Sequence, residues 1–182
     1  MNTSVDETIA YHAARLLILI RYCGKPQGSG NVGPGLASRT LLAKLDFFLR
    51  YPSYLKRARE ILRKGELKKP DVLSPPESSS IESRMVRYFY GPWDHVYYST
   101  LAYLTGKGLL HIDGRKQLEI FRLTSKGVEV AERFSNDSAY SDLVARARIV
   151  HALFHGYTGT GVKNFIYEHF PEVVGRKIGE LI

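Results

Sequence analysis

Two histidines four residues apart, His151 and His155 in "HALFH", are the clearest invitation to chemistry in this chain. On a helix they share one face, and the spacing is the one by which zinc proteases hold their metal. The acid is missing. The position after the first histidine, where those enzymes keep a glutamate as general base, is Ala152, and Glu168 and His169 have no matching spacing. His12, His95 and His111 stand apart, and neither a nucleophile elbow nor a Walker lysine motif occurs. The single cysteine, Cys23, excludes an internal disulfide and a Cys-rich zinc site; at the end of an apolar helical pattern it reads as a small buried hydrophobe. "GSGNVG" at 28–33 has the glycine spacing of a dinucleotide loop, but that loop needs a strand before it, a helix directly after it and an acidic residue about 20 residues on. Here "RLLILI" reads as the end of a helix, the nearby acid is Asp46 inside another helix, and no second strand is expected. The wider stretch "GKPQGSGNVGPG" holds five glycines and two prolines in twelve residues and reads as a surface linker. The residues therefore predict a non-enzymatic protein with no metal and no cofactor.

Charge is the next candidate. The net charge is +8, and it is unevenly placed: residues 1–70 carry 13 basic and 5 acidic residues, 71–136 carry 8 of each, and 137–182 carry 5 of each. The density peaks in "RYPSYLKRAREILRKGELKK", where Lys56, Arg57, Arg59, Arg63 and Lys64 stand among Leu55, Ala58 and Leu62 at helical spacing. Two readings stand side by side. The basic residues form a surface for phosphate or for an acidic partner, or they are the solvated face of an amphipathic helix.

The third candidate is a crowd of aromatics. Tyr88, Phe89, Tyr90, Trp93, Tyr97, Tyr98 and Tyr103 place 7 of the chain's 21 aromatic residues within sixteen positions. Such enrichment suits a protein interface, while some of these rings are expected to fill the core instead.

These groups need elements to position them, and the pattern predicts a mainly α protein with a small β-hairpin, an α+β class. A possible capping box, Ser4 and Glu7, opens a first helix to about Tyr22, with Ile9, Ala13, Leu17 and Ile20 on one face. A second helix carries Leu41, Leu45, Phe48 and Leu49 and stops before Pro52; the basic helix follows to about Gly65. "ELKKPDVLSPPESSS", residues 66–80, reads as a linker or an ordered excursion. Beyond it come a helix over about Trp93 to Thr105, a hairpin "LLHI"–"DGRK"–"LEIFRL" turning at Asp113 and Gly114, and a helix capped by Thr124. That order resembles the second half of a winged helix domain, with residues 81–91 supplying an earlier helix. "DLVARARIVHALFH" and "GVKNFIYEHF", the latter stopped by Pro171, add two closing helices. The chain thus divides into an N-terminal helical region at 1–70, a winged helix-like domain at 71–136 and C-terminal helices at 137–182, packed as one compact unit.

A winged helix invites a DNA-binding reading, yet the helix over 93–105 lacks every Arg, Lys, Asn or Gln with which a major-groove reader addresses base edges. Arg115 and Lys116 in the wing's turn are placed to touch phosphate at most. The longest wholly apolar run, Leu16 to Ile20, is far short of the roughly 20 residues that cross a bilayer, and no secretory signal pattern opens the chain; a cytoplasmic protein that does not enter membranes is expected.

Three blocks then point to a family. "LLAKLDFFLRYPSYLKRA", "IESRMVRYFYGPWDHVYY" and "IYEHFPEVVGRKIGELI" resemble the middle component of ABC-three-component systems, which is similar to the small accessory subunit of Lamassu antiphage defence complexes. The resemblance spans most of the chain. It implies a non-catalytic adaptor that joins an SMC- or Rad50-like ATPase to an effector, often a nuclease, and restrains the effector until foreign DNA is sensed. On that reading Tyr90, Trp93, Asp94, Tyr97 and Tyr98 form or support the partner interface. Lys56, Arg57, Arg59, Arg63 and Lys64, with Arg115 and Lys116, meet an acidic partner or the DNA backbone without reading its sequence. The competing expectation is a free-standing winged helix transcription regulator.

Overall fold

The computed structural model describes residues 3–26, 33–62, 84–115 and 118–182. Most of the glycine stretch, the expected linker at 66–80, Arg63, Lys64 and Lys116 lie outside them. Helix α1 (Thr3–Cys23) is followed by a short strand β1 (Gly35–Ala37) and by helices α2 (Arg39–Arg50) and α3 (Pro52–Leu62). A first hairpin, β2 (Val86–Tyr88) and β3 (Gly91–Trp93), leads into α4 (Val96–Gly106) and a second hairpin, β4 (Leu110–Arg115) and β5 (Leu118–Leu123). Helices α5 (Ser125–Asn136), α6 (Ser141–Phe154), α7 (Gly159–His169) and α8 (Pro171–Val174) close the chain.

The expected class holds: the protein is mainly helical, with small antiparallel sheets. Strand β5 lies between β4 and β1, with Leu110 opposite Leu123 on one side and Leu36 opposite Phe121 on the other. The winged helix-like order is therefore α1, β1, α2, α4, β4, β5, and its first strand comes from the N-terminal region.

Helix α1 sits in the middle. Residues 12–20 are buried all round, and the helix touches α2, α4, α5, α6 and both flanking strands. The one-faced amphipathic helix read from Ile9, Ala13, Leu17 and Ile20 is thus too modest: a helix buried on every side needs an apolar stretch such as "LLILI" rather than a stripe. The helix begins at Thr3, ahead of the expected cap at Ser4.

Local signals explain most boundaries. Pro52 separates α2 from α3, and Ser38 caps α2 by accepting from the Leu41 amide at 3.2 Å. Thr124 caps α5 as expected, accepting from the Gly127 amide at 3.0 Å, while its hydroxyl donates to the Gly108 carbonyl at 2.7 Å. Gly127 is required there, since a Cβ would lie 2.0 Å from the Leu109 carbonyl oxygen.

Four expectations need correction. Where a helix is expected at 81–91, the described residues form the β2–β3 hairpin instead, because Gly91 takes φ 97 and Pro92 brings no amide hydrogen, both hostile to a helix. Trp93 accordingly belongs to β3, and α4 starts three residues later. In the second hairpin Asp113 and Gly114 are strand residues opposite Ile120 and Glu119, not the turn expected there. Finally, a strand does follow the glycine stretch: β1, whose base is closed by reciprocal amide bonds between Lys25 and Gly35 at 2.9 and 3.0 Å.

Candidate functional site

The aromatic segment divides into an inner and an outer layer. Tyr97 is buried and donates its hydroxyl proton to Asp46 Oδ2 at 2.7 Å; Asp94 is buried and accepts from Arg50 Nη1 at 2.7 Å. Its other oxygen accepts from the Val96 amide at 2.9 Å and so starts α4. Half-buried Trp93 stands edge-on to Tyr97 at 5.2 Å and to Tyr98 at 6.0 Å. Above them the rings face solvent: Tyr98 is 56% exposed, Phe89 59% and Tyr90 64%. Tyr88 bridges the layers, 5.0 Å from Phe89 and 6.2 Å from Trp93. Of the five residues expected at an interface, Tyr90 and Tyr98 can touch a partner, whereas Asp94 and Tyr97 can only hold the others in place.

That support is ionic and deep. Asp46, fully buried, receives Arg15 Nε at 2.8 Å and Nη2 at 3.3 Å, and Arg50 lies 3.8 Å away. Burial pushes the Asp46 carboxyl up, but Arg15 and Arg50 outweigh it and hold the group below its ordinary range. Burial and the neighbouring Asp46 charge both push the Tyr97 phenol well above its usual value, so it stays a donor. Two arginines and two aspartates cancel, which is what lets charges persist in an apolar core. This network leaves one local trace in the sequence, Asp46 and Arg50 at i, i+4 in a helix whose residues 42–50 are all buried.

Another buried cation, Lys44, has no carboxylate match among the described residues. Lys44 donates to the Pro92 carbonyl at 2.8 Å, and burial, with Arg87 and Lys163 nearby, lowers its pKa to about 7. Gly91 packs against it; a Cβ there would meet Lys44 Cε at 3.3 Å and the Tyr167 ring at 3.5 Å.

The expected basic surface on α3 is partly committed. Arg57 pairs with Glu172 and lies over the Phe170 ring at 4.8 Å, which ties α3 to α8. Lys56 is exposed and Arg59 half-buried. Arg115 ends β4, on the opposite hairpin.

His151 and His155 do share a face, with ring centroids 5.0 Å apart, and they line a cavity of about 560 Å³ with Cys23, Ser38, Phe154 and Thr158. Burial pushes the Cys23 thiol up to about 12, so it is no nucleophile at neutral pH. Among the described residues no group of three or more His, Cys, Asp or Glu side chains is arranged to hold a metal, and no helix is long and apolar enough to cross a membrane.

Comparison with known proteins returns no matching family model, no matching curated protein and no matching solved structure.

Proposed function

We propose that this protein is a non-catalytic adaptor that acts in the cytoplasm, joining an SMC-like ATPase to an effector subunit, a nuclease by the family resemblance, in an antiphage defence complex. The observation that carries the adaptor reading is the outer aromatic layer. Phe89, Tyr90 and Tyr98 are each more than half exposed, and large aromatic side chains left at a surface favour contact with a partner. It is a preorganised surface, because β3 and α4 are fastened to α2 by Asp94–Arg50 and Tyr97–Asp46. Binding to it therefore orders few groups that were loose before. The partners' identity rests on the resemblance of the three sequence blocks.

The winged helix topology keeps one rival in play, a DNA-binding regulator that reads bases with α4. The solvent face of α4 is Tyr98, Ser99, Ala102, Tyr103 and Thr105, which offers no cation for phosphate and no bidentate donor for a base edge. Any contact of the adaptor with DNA goes to the phosphate backbone, through the basic α3. Affinity purification of the tagged protein from its native host separates the two readings. The adaptor is recovered with a coiled-coil ATPase and a nuclease; recovery as a lone dimer on a promoter fragment, with sequence preference that survives rising salt, would overturn the proposal.

A further inference from the structure

Lys44, Arg87 and Lys163 converge on Tyr167, beneath the tip of the β2–β3 hairpin. Lys163 Nζ lies 5.5 Å and Arg87 Cζ 5.9 Å from the Tyr167 ring centre, and the Tyr167 hydroxyl donates to the Phe89 carbonyl at 3.1 Å. Lys44 is 2% exposed and sits against Gly91 at the same spot. None of the three cations has a carboxylate partner among the described residues. Arg87 gives Nε to the Val174 carbonyl at 3.3 Å, while its Nη1 is buried with no hydrogen-bond partner. Arg87 and Lys163 are near enough to disfavour the charged form of Lys44. Like charges gathered at a half-buried place without a counter-ion oppose folding, so a group that supplies negative charge from outside would relieve them.

The surroundings say what kind of group. The cations are recessed beside a tip that carries Phe89 and Tyr90, both more than half exposed. A nucleic acid backbone presents evenly spaced phosphates and favours a continuous basic track. A single recess of charge flanked by rings fits a carboxylate side chain next to an apolar one. We infer that the β2–β3 tip and α7 form a docking site for an acidic, aromatic-containing segment of a partner protein, its carboxylate held by Lys163 and Arg87 over the Tyr167 ring. Lys44 contributes its field from below. This inference rests on the reading of the aromatic layer as a partner surface and adds the chemistry of what lands there.

The test uses the full chain and fluorescence anisotropy with three labelled probes: a glutamate–tyrosine copolymer, polyglutamate and oligothymidylate. The copolymer binds most tightly, and Lys163→Glu weakens it roughly tenfold, as expected for a directly facing charge. Arg133→Glu, exposed on α5, has little effect and reports on general attraction to a basic protein; thermal melts confirm that each variant folds. Equal losses at Arg133 and Lys163, or oligothymidylate bound as tightly as the copolymer and lost through Lys163→Glu, would overturn the inference. Tyr90→Ala separates it from the reading beneath it. If Tyr90→Ala weakens copolymer binding and Lys163→Glu does not, the aromatic surface stands and the acid-binding site falls; if neither does, both fall.

Discussion

Helix α2 carries two buried cations that meet opposite fates. Arg50 is enclosed with Arg15 by Asp46 and Asp94, a set of two positive and two negative charges. Lys44, less than two turns away on the same helix, has a single carbonyl and two further cations for company. The first arrangement is self-sufficient and fixes the inner wall of the aromatic layer. The second is incomplete within the described residues, and it lies where the outer layer meets solvent. Buried charge that is neutralised holds a structure in one register; buried charge left without a counter-ion weakens the fold and makes sense where something else completes it.

The sharpest way to break the contrast is to remove the charge at the centre of the first set. Asp46→Asn leaves two buried arginines facing one aspartate, and thermal or denaturant unfolding should show a loss of about 3–5 kcal/mol. Because the Asp46 carboxyl sits below its ordinary range in the folded state, its contribution is complete above that range and is lost as the pH falls through the folded value. The wild-type protein should therefore unfold in acid with a step that Asp46→Asn lacks. Tyr97→Phe removes one donor to the same carboxylate with little change of shape, and unfolding should record a smaller loss of about 1.5–3 kcal/mol.

Lys44 gives a pH slope of the same sign in a higher window, but from a charge that its surroundings oppose. With its pKa lowered from 10.5 to about 7, the unfolded chain binds a proton between those values that the folded chain does not, so stability rises with pH across that window. Lys44→Met should lose this slope and, at neutral pH, melt no lower than wild type. A melting temperature well below wild type would show that the bond to Pro92 outweighs the burial of the charge. The smallest effect belongs to α3: Arg57→Ala removes an exposed pair with Glu172 and should cost about 0.2–1 kcal/mol in unfolding experiments, falling further as salt is added.

Features that declare themselves locally were legible in the sequence. The break at Pro52, the Thr124 cap, the β4–β5 hairpin and the closing helices all depend on neighbours a few residues away. Strand β1 did not show, since three residues paired with Arg122, Phe121 and Ile120 leave no pattern of their own. The β2–β3 hairpin was misread because tyrosine and arginine suit a helix or a strand, and only Gly91 and Pro92 decide between them. The polar network was illegible for a plainer reason. Its bonds join positions 31, 44 and 51 residues apart, and no local periodicity encodes which buried arginine will meet which aspartate. For the same reason the seven clustered aromatics could be counted but not sorted into Tyr97 within and Tyr90 and Tyr98 without.

That sorting yields the most direct test of the adaptor reading. The double variant Tyr90→Ala, Tyr98→Ala truncates only exposed rings, so its melting temperature should stay close to wild type while quantitative mass spectrometry of the purified complex shows the ATPase or the effector lost. Retention of both partners at wild-type stoichiometry would contradict the account.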